Sequence, residues 1–374
     1  MHDYSATLIE LGSAFVGLAL LCRAASACGL SPIPLYLLAG LAVGKGGLAP
    51  MDLSQNFIGL GAEIGVLLLL FMMGLEYSGE ELKTSLKQGL PSGLLDFVLN
   101  FPPGLIAGFL LGWQPIAALL LGGATWVSSS GIIAKVLAET KRASDPESKS
   151  VLSVLVLEDL AMALYLPFVS VLVAGGTADK ITTSVAIATT AVLLILVGVM
   201  RFGSGISKLL SHESDEIILL TTFGIVLLVA GIAHGIQVSE AIGAFLVGIA
   251  MCGTIAHQSH RLFMPLRDLF AAMFFFFFGM EVDPHSLPPV LLLAVALGLV
   301  TALTKFATGW FAAKGATTDA RGRIRAGLAL IPRGEFSIVI AGLGATLQPE
   351  LGPLSAAYVL FLAIVGPIAL KLAK

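Results

Sequence analysis

Charged side chains are scarce in this sequence. Asp, Glu, Lys and Arg make up 12% of the 374 residues, whereas hydrophobic types make up 57%, and the mean hydropathy is +0.96. A soluble globular domain carries about twice this share of charged residues. The composition therefore excludes a soluble globule and indicates a chain that crosses a membrane several times.

Other features are missing as well. The three cysteines, Cys22, Cys28 and Cys252, are an odd number scattered through apolar segments, which argues against a disulfide framework. The first residues, MHDYSATLIE, lack the basic start of a secretory signal, so the first apolar segment is expected to remain as a helix. The sequence also lacks a phosphate-binding loop, a dinucleotide fingerprint and a nucleophile elbow, so neither ATP-driven transport nor hydrolysis is supported. We expect no enzyme activity, no cofactor and no nucleic-acid partner.

Long apolar blocks, separated by Pro, Gly or charged residues, fill most of the chain. A helix needs roughly 20 apolar residues to cross a bilayer core of about 30 Å. Thirteen blocks fit this description, at approximately 5–28, 32–50, 56–75, 88–112, 115–138, 150–174, 181–208, 215–234, 238–257, 263–281, 287–313, 321–345 and 352–372. The predicted fold class is an all-α polytopic membrane protein. We expect a single transport domain over residues 1–374, without a soluble regulatory domain in this chain.

Basic residues are distributed unevenly between the loops. With thirteen crossings, the loops after odd-numbered helices and the C-terminus together hold sixteen of the 21 Lys and Arg residues, and the opposite loops hold Lys45 and Lys180. Cytoplasmic loops collect Lys and Arg. The sequence therefore predicts an outside N-terminus and a cytoplasmic C-terminus.

Two pairs of segments repeat along the chain. LFMMGLE (70–76) resembles FFFFGME (275–281) at an offset of 205, and Gly40 matches Gly248 at an offset of 208. Equivalent helices would cross the membrane in opposite directions, which predicts inverted repeats at about 5–174 and 215–372, linked by a helix at about 181–208. Inverted repeats are typical of secondary transporters. Chance similarity between Leu- and Gly-rich helices is the alternative.

Two adjacent carboxylates, Glu158 and Asp159, lie in the apolar run 151–174. An ionisable residue at a helix centre costs about 2.5–3.5 kcal/mol on insertion scales, so a cationic partner is expected. Lys305 and Arg333 are the candidates, and Lys305 is favoured because it lies near the middle of its apolar block. The alternative is a buried ion network that only fixes helix packing.

The predicted helix at 321–345 contains an interruption, in ALIPRGEFSIVI. Pro332 removes a backbone donor and Gly334 loosens the chain. Arg333 and Glu335 carry charges beside this break. Exposed helix ends attract ions of the opposite sign, so both residues are expected to compensate charge there.

The predicted helix at 115–138 is also expected to be interrupted, in GGATWVSSSGII. Glycines weaken the helix, while Thr125, Ser128 and Ser129 offer hydroxyl groups to freed backbone groups or to a cation. The two interrupted helices hold corresponding places in the two repeats. Close packing of small residues is the alternative explanation.

Together these segments resemble the monovalent cation:proton antiporter family, in the branch that contains the potassium exporters KefB and KefC and the sodium/proton antiporter NapA. The resemblance covers nearly the whole chain and rests on GAEIGVLLLLFMMGLE, PLRDLFAAMFFFFFGME, RGEFSIVI, VSSSGIIAKVL and the acidic pair. It implies an NhaA-like antiporter fold with two discontinuous crossing helices. It also implies that Asp159 binds the transported monovalent cation and that Lys305 pairs with the preceding position, Glu158.

The function implied is exchange of K⁺, or of Na⁺ as second choice, for protons that compete at this carboxylate site. The expected cation- and proton-binding residues are Asp159, Glu158, Ser128, Ser129 and Thr125, and the charge-compensating residues are Lys305, Arg333 and Glu335. A sodium-coupled organic-solute symporter of the same fold and a regulated potassium channel are the alternatives. The expected surroundings are the lipid of a bacterial inner membrane, a second copy in a homodimer and a separate cytoplasmic regulatory subunit.

Overall fold

A computed structural model describes residues 4–27, 32–44, 46–48, 50–51, 55–75, 79–142, 144–175, 210–235, 240–251, 254–317 and 319–373, with isolated positions between 182 and 197. Regular structure in these residues is helical. The α-helices are α1 (Tyr4–Ala27), α2 (Ile33–Val43), α3 (Gln55–Leu75), α4 (Gly79–Leu110), α5 (Pro115–Trp126), α6 (Ser130–Glu139), α7 (Pro146–Ala174), α8 (Asp215–Gly235), α9 (Glu240–Ala250), α10 (Thr254–Glu281), α11 (Leu287–Ala312), α12 (Ala320–Ala329), α13 (Glu335–Leu343) and α14 (Leu351–Leu372).

The described residues contain eight helical segments that are long and apolar enough to cross a membrane. They are Leu8–Ala27, Gly89–Leu110, Pro115–Ile133, Pro146–Ala174, Asp215–Gly235, Ile255–Glu281, Pro284–Gly315 and Leu351–Leu372, and shorter apolar helices lie at Ile33–Val43 and Glu63–Met72. Large apolar side chains on these spans are exposed, including Leu292 at 81% and Leu303 at 72%. The protein is a multi-pass membrane protein, as predicted. The predicted helix at 181–208 lies outside the described residues, apart from isolated positions.

Several predicted helix ends are wrong, since α2 ends at Val43 rather than 50 and α4 begins at Gly79 rather than 88. The largest difference is a predicted break that the structure does not have. The sequence analysis ended one helix at 257 and began the next at 263, whereas α10 is continuous from Thr254 to Glu281 despite Pro265. The His and Arg residues of this stretch gave it the composition of a loop. Ile255, Ser259 and Phe263 are nevertheless fully buried, and residues four apart share one face of a helix. That buried face explains why the helix extends through the polar stretch.

The chain divides into two units. The first comprises Met1–Gly59, Gly89–Glu158 and Phe275–Lys374, and the second comprises Leu60–Gln88 and Asp159–Phe274. Within the first unit, α14 packs against α2, α5, α6, α11, α12 and α13, so it supports the elements that carry the charged residues. Within the second unit, α8 packs against α9, and the rings of Phe71 and Phe263 meet edge to face with centroids 5.1 Å apart.

Two helix crossings are made through glycine. Gly40 of α2 faces Gly279 of α10 in the first unit, and Gly74 of α3 faces Gly248 of α9 in the second. A Cβ on any of the four would collide with the carbonyl oxygen three residues before the facing glycine. Small residues that let two backbones approach are typical of helix packing inside membranes.

Candidate functional site

Lys305 of α11 lies between two carboxylates. Its Nζ is 2.6 Å from Oδ1 of Asp96 on α4 and 2.8 Å from Oε1 of Glu158 on α7. The side chains of Lys305 and Asp96 are 0% exposed and that of Glu158 is 1% exposed. Unpaired ions are costly in so apolar a setting, so each of the three groups depends on its partners.

Ser128 holds Glu158 from the end of α5. The backbone N–H of Ser128 donates to Oε2 of Glu158, and its Oγ lies 3.2 Å from Oε1. The same Oγ is 3.1 Å from the carbonyl oxygen of Leu330. Asp159 follows Glu158 on α7 and is 1% exposed, so the predicted acidic pair is buried.

The chain leaves helical geometry in two places that contact each other, at 127–129 and at 330–334. The backbone N–H of Ser129 donates to the carbonyl of Pro332 over 3.0 Å. A Cβ at Gly334 would collide with the side chain of Ser129. Glycine at 334 therefore lets the two non-helical segments lie directly against each other.

Arg333 donates hydrogen bonds to carbonyl groups at the ends of α5 and α12. Its buried guanidinium donates to the carbonyls of Leu330 and Ile331, each over 3.0 Å, and of Thr125 over 3.2 Å. It also donates to the hydroxyl of Tyr358 over 3.1 Å. The last carbonyls of a helix lack partners within the helix and carry partial negative charge. The predicted role of Arg333, to compensate charge at the break, is consistent with these contacts and stays a prediction.

Glu335 lies at the N-terminal end of a helix, whereas Arg333 contacts C-terminal ends. It is the first residue of α13, and it accepts a hydrogen bond from the hydroxyl of Ser129 over 3.0 Å. Ser129 immediately precedes α6, and its Oγ accepts from the backbone N–H of Ile132 over 3.3 Å. Carboxylates are stabilised at helix N-termini by the helix dipole. Compensation of the positive ends of α6 and α13 by this carboxylate stays a prediction.

The structure brings some of the predicted residues into one hydrogen-bonded group, whereas others have different partners. Glu158, Lys305 and Ser128 form one hydrogen-bonded group, whereas Ser129 contacts Glu335. The hydroxyl of Thr125 lies 3.1 Å from the carbonyls of both Asn100 and Gly122, so its polar contacts are with the backbone. The binding roles of all these residues stay predictions.

Sequence reasoning left the role of the carboxylate Asp96 open and did not identify two neutral side chains that bind it, Asn100 and Trp126. Asp96 accepts hydrogen bonds from Nε1 of Trp126 and Nδ2 of Asn100, each over 2.9 Å. A signal for Asp96 was present, because it is a carboxylate inside the apolar block 88–112. Asn and Trp are ordinary in membrane helices, so Asn100 and Trp126 gave none.

Among the described residues, no cluster of three or more His, Cys, Asp or Glu side chains could hold a metal ion. A monovalent cation is held differently, by oxygen atoms that replace its hydration shell, including hydroxyl and carbonyl oxygens. Such an oxygen, the hydroxyl of Ser128, lies 3.2 Å from Oε1 of Glu158, and the carbonyl of Leu330 lies 3.1 Å from that hydroxyl. Coordination of a transported ion by Asp159 therefore stays a prediction.

Comparison with known proteins gives concordant results. The family described as "Sodium/hydrogen exchanger, transmembrane" matches residues 13–373. The structure is similar to that of the sodium proton antiporter MjNhaP1 from Methanocaldococcus jannaschii, with a TM-score of 0.70 over 98% of this chain and 99% of that one. The two sequences are 17% identical, so this likeness concerns the fold.

Two curated relatives are similar over most of their own length. The K⁺/H⁺ antiporter subunit KhtU of Bacillus subtilis is 35% identical over 98% of this chain and 93% of its own. The ammonium/H⁺ antiporter subunit AmhT of Alkalihalophilus pseudofirmus is 30% identical over 91% of this chain and 86% of its own. The resemblance read from the motifs is thereby confirmed, and the chain belongs to the sodium/hydrogen exchanger transmembrane family, whose members are secondary transporters rather than enzymes.

Proposed function

We propose that this protein exchanges a monovalent cation for protons across a bacterial inner membrane, at a site formed by Glu158 and Asp159. The observation that carries the proposal is the burial of both carboxylates in one membrane helix, α7. Lys305 and Ser128 hold one of the two in place. Ionisable residues inside a membrane mark ion pathways by default.

Exchange follows from competition for one carboxylate. Asp159, with nearby hydroxyl and carbonyl oxygens, replaces the hydration shell of the cation while it is ionised. A proton on Asp159 removes the charge that binds the cation, so the two ions exclude each other. If the occupied forms alternate access and the empty, charged form does not, every cation that crosses is matched by proton movement in the opposite direction.

The contact between the two non-helical segments supports two discontinuous helices that cross each other. α5 and α6 form one such helix and α12 and α13 the other, with Arg333 at their carbonyl ends and Glu335 at their amino ends. Helix ends that face each other inside the membrane offer partial charges to an ion, and transporters place their sites at such breaks. The side chains at the break therefore belong to the proposed site.

The glycine crossings support the inverted repeats. The offsets along the chain equate Gly40 with Gly248 and Gly74 with Gly279. The crossing of α2 with α10 in the first unit then corresponds to the crossing of α9 with α3 in the second, with the same glycine-to-carbonyl contacts. A two-fold relation between repeats would produce this exchange of partners, so the crossings favour duplication over chance similarity.

We favour K⁺ as the cation, with Na⁺ second. The name of KhtU, K⁺/H⁺ antiporter subunit, supports K⁺. The name of AmhT, ammonium/H⁺ antiporter subunit, is the reason to test ammonium as well. Both relatives are named as subunits, which supports a separate regulatory partner for this chain. A homodimer belongs to the same proposal.

Asp159→Asn is expected to abolish exchange, because an amide neither carries a proton nor attracts a cation. The measurement is cation-evoked movement of protons in proteoliposomes, read from an internal pH-sensitive dye with K⁺, Na⁺, Li⁺ and NH₄⁺ added in turn. Protein-free liposomes correct for ammonia that crosses the lipid. Glu213→Gln is the matched control, since Glu213 is exposed, and it should transport like the unmodified protein.

Cation-dependent proton movement that persists in Asp159→Asn would contradict the assignment. The direction of proton movement relative to the proton gradient distinguishes an antiporter from a channel. An antiporter drives protons against their gradient when the cation gradient is large enough, and a channel does not. Stimulation of sodium uptake by an organic anion would favour the symporter.

A further inference from the structure

Basic side chains collect where the membrane span Pro284–Gly315 ends and α12 begins. The exchange proposed above uses none of them. The same stretch of chain holds a single carboxylate, Asp319, which accepts a hydrogen bond from the backbone N–H of Arg321 over 3.2 Å. The four basic residues are Lys314, Arg321, Arg323 and Arg325.

One of the four, Arg325, already has carboxylate partners. Its Nε is 2.8 Å from Oε1 of the buried Glu147, and its Nη2 donates to the same oxygen. Oδ2 of Asp145 lies 3.9 Å from that Nη2. The other three basic side chains form no ion pair with any residue that the structure describes. We call these three, Lys314, Arg321 and Arg323, the basic patch.

Arg323 of the basic patch is held in place by α11. The two helices pack closely here, because a Cβ at Gly309 would collide with the carbonyl oxygen of Ala326. Arg323 Nε donates to the carbonyl of Trp310 over 3.0 Å, and its Cζ lies 4.1 Å from the centre of the Trp310 ring. The Trp310 ring stacks in turn on Phe306, with centroids 6.2 Å apart.

The fixed guanidinium of Arg323 keeps two donor groups for a ligand. Nε satisfies a carbonyl near the C-terminal end of α11, where helical carbonyls lack partners. Nη1 and Nη2 make no hydrogen bond to the described part of the chain. Two coplanar nitrogens match two oxygens of one phosphate group. Because the side chain is already ordered by Trp310, little conformational entropy remains to be lost when a ligand binds.

Apolar side chains beside the basic patch indicate which phosphate compound fits. Phe311 is 54% exposed and Ile324 is 37% exposed, while Lys314 and Arg321 are exposed as well. Trp residues are enriched where a span meets the membrane surface, and Trp310 lies in the last turn of such a span. A phospholipid offers acyl chains to the apolar side chains and a phosphate to the basic ones, whereas a free phosphate offers only the second.

We propose that the basic patch binds the headgroup of an anionic phospholipid, with Arg323 Nη1 and Nη2 donating to its phosphate. Lys314 and Arg321 add positive charge, and Asp319 leaves a net charge of two on the patch. A zwitterionic headgroup carries its own cation beside the phosphate, so its attraction to the patch is weaker. Each basic residue at a membrane surface strengthens the binding of anionic lipid by about fivefold.

Quenching of tryptophan fluorescence by lipids with brominated acyl chains tests this in the intact protein. Trp310 is half-buried, whereas Trp113 and Trp126 are each 7% exposed, so Trp310 meets lipid more readily. The protein is reconstituted in phosphatidylcholine vesicles with rising fractions of brominated phosphatidylglycerol or brominated phosphatidylcholine. We expect phosphatidylglycerol to quench at a fraction several times lower. Trp310→Phe should lose this difference, which assigns the signal to Trp310.

Arg323→Gln should reduce the preference for phosphatidylglycerol by about fivefold. Lys314→Gln combined with Arg321→Gln should reduce it as well, and this variant does not depend on Arg323, since both side chains are exposed. Arg261→Gln is the matched control. It removes one positive charge from a side chain that is 67% exposed and paired with Asp215, and its preference should equal that of the unmodified protein.

Equal quenching by the two lipids would overturn the proposal and leave an acidic protein surface as the better partner for the patch. An unchanged preference in both the Arg323 variant and the Lys314 and Arg321 variant would overturn it too. Inorganic phosphate should relieve the quenching no more than sodium chloride of equal ionic strength does. Stronger relief by phosphate would assign the patch to a free anion instead of a lipid.

Discussion

At the scale of single residues, Lys305 sets the charge balance of the buried group. One ammonium faces two carboxylates at 2.6 and 2.8 Å with no exposed surface. Taking ions out of water is costly, and the attraction between them repays that cost only where geometry and additional hydrogen bonds are favourable. Trp126, Asn100 and Ser128 supply those hydrogen bonds.

Lys305→Met is expected to lower the free energy of unfolding by about 3–5 kcal/mol, because it leaves two buried carboxylates without their cation. The measurement is thermal or denaturant unfolding in detergent. Lys314→Met is the matched control, since Lys314 is exposed, and should lie within about 0.5 kcal/mol of the unmodified protein.

Neutralising the carboxylates as well should recover much of this loss. Lys305→Met combined with Asp96→Asn and Glu158→Gln leaves no buried ion in the group, so it should unfold later than Lys305→Met alone. Equal stabilities for the single and triple variants would show that the ammonium does not balance these carboxylates.

The acidic pair and Lys305 could be predicted from the sequence, because a charge in a long apolar run needs a partner and few cations were available. The role of Asp96 could not be predicted in the same way. Hydropathy shows that a buried carboxylate is costly, but it does not show which helix faces it. Three-dimensional proximity between α4 and α11 decides that Asp96 and Glu158 share one cation.

At the scale of secondary-structure elements, the close approach of the two non-helical segments depends on Gly334. The two interruptions themselves were predictable, since Pro332 and the glycines of 122–131 weaken helices. Their mutual contacts were not, because a hydrogen bond from Ser129 to Pro332 joins residues about two hundred positions apart.

Gly334→Ala is expected to destabilise the protein by about 1–3 kcal/mol and to reduce exchange, because the added methyl group collides with Ser129. Unfolding in detergent and the liposome assay measure the two effects. Gly342→Ala in the helix that follows Gly334, α13, is the control, since a Cβ there meets no atom within 4 Å. The control should be neutral or gain about 0.5–1 kcal/mol.

A second substitution that removes the collision with Ser129 should restore the close contact between the two non-helical segments. Gly334→Ala combined with Ser129→Gly removes the side chain that the new methyl group strikes, so it should be more stable than Gly334→Ala alone. Indistinguishable behaviour of Gly334→Ala and Gly342→Ala would mean that the two segments do not need this close contact.

At the scale of the whole molecule, the apolar runs predicted most helix ends to within a few residues, because the membrane requires long apolar helices whatever their packing. The end of α2, the start of α4 and the continuous helix α10 were exceptions, and the buried face of α10 is visible only in the structure. The offsets between repeated segments indicate which helices are equivalent, but they do not show which helices contact each other. The pairing of α2 with α10 and of α9 with α3 therefore had to come from the structure.

The excess of basic residues in one set of loops predicts the orientation of the whole chain. In a variant whose three cysteines are replaced by Ser, Lys45→Cys should react with a membrane-impermeant thiol reagent in intact cells. Lys314→Cys should react only after the membrane is opened. Labelling of both positions from the same side would contradict the predicted thirteen crossings.

Arg333 has one property that the acidic pair lacks. The partners of Arg333 are backbone carbonyls and the Tyr358 hydroxyl, so they carry partial charges, whereas Glu158 is paired with the full charge of Lys305. Ser128 joins the two arrangements, because its Oγ lies within hydrogen-bond distance of both Glu158 and the Leu330 carbonyl that Arg333 also contacts. Loss of the Ser128 side chain would therefore remove a polar contact from both arrangements at once.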